Sequence, residues 1–79
     1  MVLHVRMQSE DMGRARIEYS GISDKCDGLL DYDKSTKKIT VEKRSADEEK
    51  APLEWLFGTL HRRLSENKIT GEVSRICVG

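Results

Sequence analysis

Val2-Leu3-His4-Val5-Arg6-Met7 and Arg14-Ala15-Arg16-Ile17-Glu18-Tyr19 are the two stretches that decide the fold. In the first, Leu3, Val5 and Met7 fall on one side and His4 and Arg6 on the other. In the second, Ala15, Ile17 and Tyr19 oppose Arg14, Arg16 and Glu18. Side chains of a strand alternate between the two faces of a sheet, so this period of two describes half-buried strands. The polar segment Gln8 to Gly13 between them predicts a loop of about six residues and an antiparallel hairpin.

Working outward, Ser20 to Asp27 is rich in Ser, Gly and Asp and reads as a loop carrying Cys26. Gly tolerates positive φ there, and Asp side chains bond nearby backbone. Gly28 to Asp33 offers Leu30 and Tyr32 to one face. After the polar turn Asp33-Lys34-Ser35-Thr36-Lys37, Ile39 and Val41 do the same, which predicts a second hairpin. Ser45 to Lys50 reads as a solvated linker in which Ser45 and Glu48 have the spacing of a capping box. Pro52, lacking an amide N–H, suits the first turn of a helix rather than its interior. Leu53, Leu56, Phe57, Leu60 and Leu64 share a stripe about 100° wide, as a helix laid on a sheet requires. The helix is expected to end near Glu66 and Asn67, where Asn suits a C-terminal cap. Lys68 to Val78 is rich in β-branched residues, but its alternation breaks between Val73 and Ile76, predicting a strand with a bulge or a twisted edge. The expected fold is α+β, one domain over residues 1–79. Two hairpins and a C-terminal strand form a small antiparallel sheet (ββββαβ), and one amphipathic helix packs on one face.

Composition limits the function more than it names it. The chain has 79 residues, with 14 Lys plus Arg against 14 Asp plus Glu, so no net charge attracts a polyanion or mimics one. Leu, Ile, Val and Phe make up 18 residues, about 23%, just above the level below which a highly charged chain stays disordered. A domain of this size buries about 60% of its unfolded surface, so a disulfide, metal or partner is a common added support. Only Cys26 and Cys77 are present, with no short-spaced ligand pair, which favours reduced thiols, an intracellular, cytoplasmic setting and no resident metal or cofactor. The first residues lack the pattern of a secretory signal, and no apolar run reaches the roughly 20 residues of a membrane span.

Four constellations carry candidate chemistry. Asp31, Asp33, Ser35 and Glu42 match positions 1, 3, 5 and 12 of an EF-hand loop, but Thr36 stands where the loop needs Gly, and strand-like flanks replace its helices. His4, Cys26, His61 and Cys77 are zinc-ligand types without a local clip, and neither thiol has a base nearby in sequence. Arg6, Arg14, Arg16 and Lys38 fall on the outward face of the hairpins as a basic stripe for nucleic acid. Glu18 and Glu42 interrupt that stripe, and Tyr19 and Tyr32, the stacking candidates, share the inward parity. Trp55 lies opposite the apolar stripe of the helix, together with Thr59, Arg62 and Glu66, and Trp and Arg are enriched in binding hot spots.

The leading expectation is therefore a non-catalytic protein-binding module, not an enzyme. It acts as an adaptor or inhibitor of a larger intracellular protein through Trp55, Thr59, Arg62 and Glu66 or through a sheet edge, where pairing with a second copy is the homodimer form. Its size suits a stand-alone regulator encoded by a phage or mobile element. The alternative is nucleic-acid binding by Arg6, Arg14, Arg16 and Lys38. The third reading is a small enzyme or metal protein.

Overall fold

In the computed structural model, which describes residues 2–21, 25–46 and 57–77, both period-two stretches are strands. Strand β1 runs Val2–Glu10 and β2 Arg14–Ser20. They are followed by β3, Gly28–Asp33, and β4, Lys38–Lys43. Helix α1, Phe57–Ser65, and a short β5, Ser74–Cys77, complete the order ββββαβ. The strands form one five-stranded sheet ordered β4-β3-β2-β1-β5, with every neighbouring pair antiparallel. Among the described residues the fold is the expected α+β sheet with one helix, and the C-terminal strand closes onto β1.

The inward set is the one that alternation selected. Leu3, Val5, Ala15, Ile17, Tyr19, Leu30, Tyr32 and Ile76 are buried on one face, with Leu60 of α1 and Ile69 over them. Phe57, Leu64, Met7, Ile39 and Val41 pack around this centre as half-buried residues. Burying such side chains stabilises a small domain by roughly 1.5–3 kcal/mol each. The Leu53 and Leu56 end of the stripe, Pro52 and Trp55 lie outside the described residues.

Tyr19 organises one end of this core. It is opposite Gly28 in the register, and a Cβ at Gly28 would fall on the Tyr19 ring. Glycine is therefore required there by the close approach of an aromatic ring. The buried Tyr19 hydroxyl accepts a hydrogen bond from the Ser45 N–H at 3.0 Å, and the Ser45 hydroxyl donates to Asp27 Oδ1 at 2.5 Å. Ser45 is thus buried, not the opening of a solvated linker. A backbone donor that has left the β4 ladder still needs an acceptor, and Tyr19 supplies it.

Two further boundaries differ from the sequence pattern. The first hairpin loop is only Asp11–Gly13, because β1 continues to Glu10 through a bulge at Gln8, between the pairs Met7–Ile17 and Ser9–Arg16. A bulge absorbs one residue without ending the ladder, so a polar run that breaks strict alternation still pairs. At the other end, β5 spans only Ser74–Cys77. Ile69 reaches the core from an irregular segment whose Thr70 carbonyl accepts the Met7 N–H at 2.7 Å. The parity break before Ile76 marks the start of the strand, not a bulge within it.

Helix α1 ends as its sequence predicts. Asn67 has φ 56°, Lys68 N–H donates to Arg63 O at 2.9 Å and Asn67 N–H to Leu64 O at 3.1 Å. This pair of bonds is a Schellman cap with Asn in the left-handed position. The chain then turns back toward β5, which lies at the opposite edge of the sheet from β4.

Candidate functional site

The outward face of the sheet places Arg6, Arg14 and Arg16 together, as the alternation required, and gives each one a carboxylate. Arg6 Nη2 lies 2.9 Å from Glu18 Oε1, and its Nε donates to the same oxygen at 3.0 Å. Arg16 Nη2 meets Glu42 Oε2 at 2.6 Å, and Arg14 Nη1 is 3.6 Å from Asp31 Oδ2. Cross-strand register explains the partners: Arg6 is opposite Glu18, and Arg16 is opposite Asp31 with β4 beyond. These three arginines are therefore each paired with a carboxylate, while Lys43 and Arg75 share the face as exposed bases. Lys38 sits at its margin on the exposed edge strand β4, and no described group pairs with its ammonium.

Asp31 is the group in these pairs that sequence reading did not single out as a partner. It is 8% exposed, and its Oδ1 accepts no hydrogen bond among the described residues. In the sequence it drew notice only as the first position of the EF-hand spacing, although its parity puts a carboxylate among the outward bases.

At the ends of the hairpins two aspartates shape the turns. Asp11 Oδ1 accepts the N–H groups of Gly13 at 2.8 Å and Arg14 at 2.7 Å. The Arg14 bond, then the Gly13 bond, hold the Asp11 carboxyl below the usual carboxylate range. Asp33 Oδ1 accepts the Ser35 hydroxyl at 2.8 Å, the Ser35 N–H at 2.9 Å and the Thr36 N–H at 3.3 Å. The Ser35 hydroxyl leads in lowering its pKa, followed by the Thr36 N–H. Lys34 joins the two turns, donating to Glu10 Oε2 at 2.9 Å and to the Asp11 carbonyl at 2.6 Å. The EF-hand spacing therefore maps onto a β-hairpin. Asp33 serves its own turn, Asp31 faces Arg14 and Glu42 is held by Arg16.

The zinc-type residues are divided by the sheet. His4 is on the outward face, its Nδ1 bonded to the Gly21 carbonyl at 2.8 Å. His61 belongs to α1 on the inward side, edge-on to Tyr32 with ring centroids 5.2 Å apart, and its Nε2 donates to the Lys37 carbonyl at 2.5 Å. His61 therefore fastens the helix to the β3–β4 turn, where Lys37 has φ 59°. Cys26 is buried in its loop, and the Cys77 side chain lies outside the described residues. Among the described residues no group of three or more His, Cys, Asp or Glu is placed to hold a metal ion.

On the helix, Arg62 and Glu66 are exposed and Thr59 is half-buried. Arg62, Arg63, Glu66 and Lys68 line a shallow polar depression of about 210 Å³ at the C-terminal end of α1. Gly58 is exposed, and a Cβ there would meet nothing within 4 Å. Trp55, the residue that gave this face its aromatic anchor in the sequence, lies outside the described residues. No described helix is long and apolar enough to cross a membrane. Against known proteins, no family model, no curated protein and no solved structure matches this chain.

Proposed function

We propose that this chain is a non-catalytic protein-binding module, an adaptor or inhibitor that engages a larger protein through the outward face of its helix, with Trp55, Thr59, Arg62 and Glu66 as the contact set. The observation that supports this reading over nucleic-acid binding is the pairing of Arg6, Arg14 and Arg16 with Glu18, Asp31 and Glu42. A phosphate backbone would have to displace each carboxylate first, which removes most of the counterion-release advantage of such a stripe. The helix face is more open, its one ion pair among the described residues being the long 3.7 Å contact of Lys68 with Glu66. Arg62 and Glu66 are exposed beside the open surface at Gly58, so a partner backbone can approach closely and meet both charges.

The test is capture from a cell lysate by immobilised protein, with and without nuclease. The expected outcome is a nuclease-resistant protein retained by the wild type and bound roughly thirtyfold more weakly by Trp55→Ala or Arg62→Ala, as for hot-spot residues. Arg14→Ala should leave its retention unchanged. Retention of nuclease-sensitive material alone, lost when Arg6 and Arg16 are replaced together, would overturn the proposal in favour of the sheet face.

A further inference from the structure

The two edges of the sheet are unequal. β5 presents four residues, whereas β4 presents six, Lys38-Ile39-Thr40-Val41-Glu42-Lys43, and among the described residues β4 pairs only with β3. An edge strand offers a row of backbone donors and acceptors to another chain, and proteins usually blunt it with charge, proline or a bulge. β4 has no proline. Its charges are arranged in a way that serves a different purpose, because Lys38, Thr40 and Glu42 belong to the outward side and Ile39 and Val41 to the inward side.

We infer that β4 is a self-complementary dimer edge that pairs antiparallel with β4 of a second copy about a two-fold axis at Thr40. In that register Lys38 faces Glu42 of the second copy, Thr40 faces Thr40, and Ile39 faces Val41. Every opposition is favourable: an opposite-charge pair at each end, a threonine pair at the centre, and apolar pairs on the inward side. Registers moved by one residue at either strand put Ile39 or Val41 against outward polar residues and are rejected by the alternation of faces. Centring on Ile39 brings Lys37, in its left-handed turn, against Val41, and centring on Val41 sets Lys43 against Ile39. Only the Thr40 register satisfies both faces.

The pairing joins two five-stranded sheets into one, with both helices on the same side, and makes the half-buried Ile39 and Val41 of each copy continuous across the junction. The contact is isologous, as a closed dimer requires. The bulge at Glu42, the residue skipped between the pairs Leu30–Val41 and Leu29–Lys43, leaves the ladder with β3 regular from Lys38 to Val41, and the Glu42 side chain stays on the outward side, where it meets Arg16. Glu42 gives one oxygen to Arg16, and its second oxygen is available to Lys38 of the second copy. An interface of this length lies at the small end of specific contacts, so the dimer dissociates on dilution. The helix-face reading plays no part in this argument, and a chain that captures no partner through Trp55 still dimerises through β4.

Sedimentation equilibrium over a wide concentration range tests it. Wild type is expected to rise from the 9.0 kDa monomer toward twice that mass. Lys38→Glu and Glu42→Lys each place like charges at both ends and should weaken association by about tenfold or more. An equimolar mixture of the two variants restores opposite charges at both ends and should form a heterodimer near wild-type strength. Thr40→Cys, which removes no ion pair, should cross-link between copies on mild oxidation, whereas wild type treated in the same way should not. A wild type that stays monomeric at the highest concentration, or a Thr40→Cys protein that yields no cross-linked dimer, overturns the inference.

Discussion

The two faces of one sheet are built from the same strands by the same alternation, yet they are held by different physics. On the inward face, Tyr19, Ile17, Leu30, Leu60 and Ile76 are fully or almost fully buried, and the tolerance for change is set by volume. The Tyr19 ring leaves room for no atom at Gly28 beyond hydrogen, and Ser45 fixes its hydroxyl. On the outward face, Arg6, Arg14 and Arg16 meet carboxylates across strands, with Arg14 remaining 64% exposed in its side chain. The partly exposed pairs Arg6–Glu18 and Arg16–Glu42 contribute little each, because water screens them and long side chains lose freedom, whereas the Asp31 carboxylate beside Arg14 is buried. Most of the stability therefore lies on one face, and the other carries the paired charges.

The comparison can be broken most directly at Gly28. Gly28→Ala adds one methyl group on the inward face and should destabilise by about 3 kcal/mol, since neither the Tyr19 ring nor the strand can move freely. A urea midpoint unchanged from wild type would show that this end of the core is loosely packed and that the contrast between the faces is overstated. On the outward face, a double-mutant cycle of Arg6→Ala and Glu18→Ala should give a coupling energy of roughly 0.2–1 kcal/mol that shrinks in high salt. Coupling as large as the Gly28 effect would contradict the division of labour.

The smallest effect belongs to the turn aspartates and appears only in acid. The folded pKa values of Asp11 and Asp33 lie below 3.8, the ordinary value, so the folded state holds the charged form more tightly than the unfolded chain does. The stability they contribute is present above pH 3.8 and is lost as pH falls through their lower folded values. Asp11→Asn and Asp33→Asn keep an acceptor oxygen in each turn but cannot titrate. Thermal melts from pH 5 down to pH 2 should therefore lose less stability in the double variant than in wild type. Parallel curves would remove the two turns from the acid response.

Much of this architecture was legible because alternation is a local signal. Leu3, Val5, Ile17, Tyr19, Leu30 and Tyr32 were placed inward by a period of two, and each is buried. The C-terminal end of α1 followed from Asn67, a residue that adopts the left-handed conformation at low cost. The bulge at Gln8 and the burial of Ser45 were not legible. The first depends on which residue of β2 each residue of β1 meets, and the second on a tyrosine hydroxyl 26 positions away in sequence.

The candidate sites divide in the same way. Sequence placed Arg6, Arg14 and Arg16 on one face and left open whether they form a basic stripe, because charge parity along a strand says nothing about the neighbouring strand. Only the order β4-β3-β2-β1-β5 and its register set Glu18, Asp31 and Glu42 beside them and gave each of the three arginines a carboxylate. By itself the sequence determined the periodicities, the inward set and the helix cap, which are properties of adjacent residues along one backbone. The tertiary structure decided which strand became the long edge, which glycine had to yield to a ring and which charges cancel, because each of these is a distance between residues far apart in the chain.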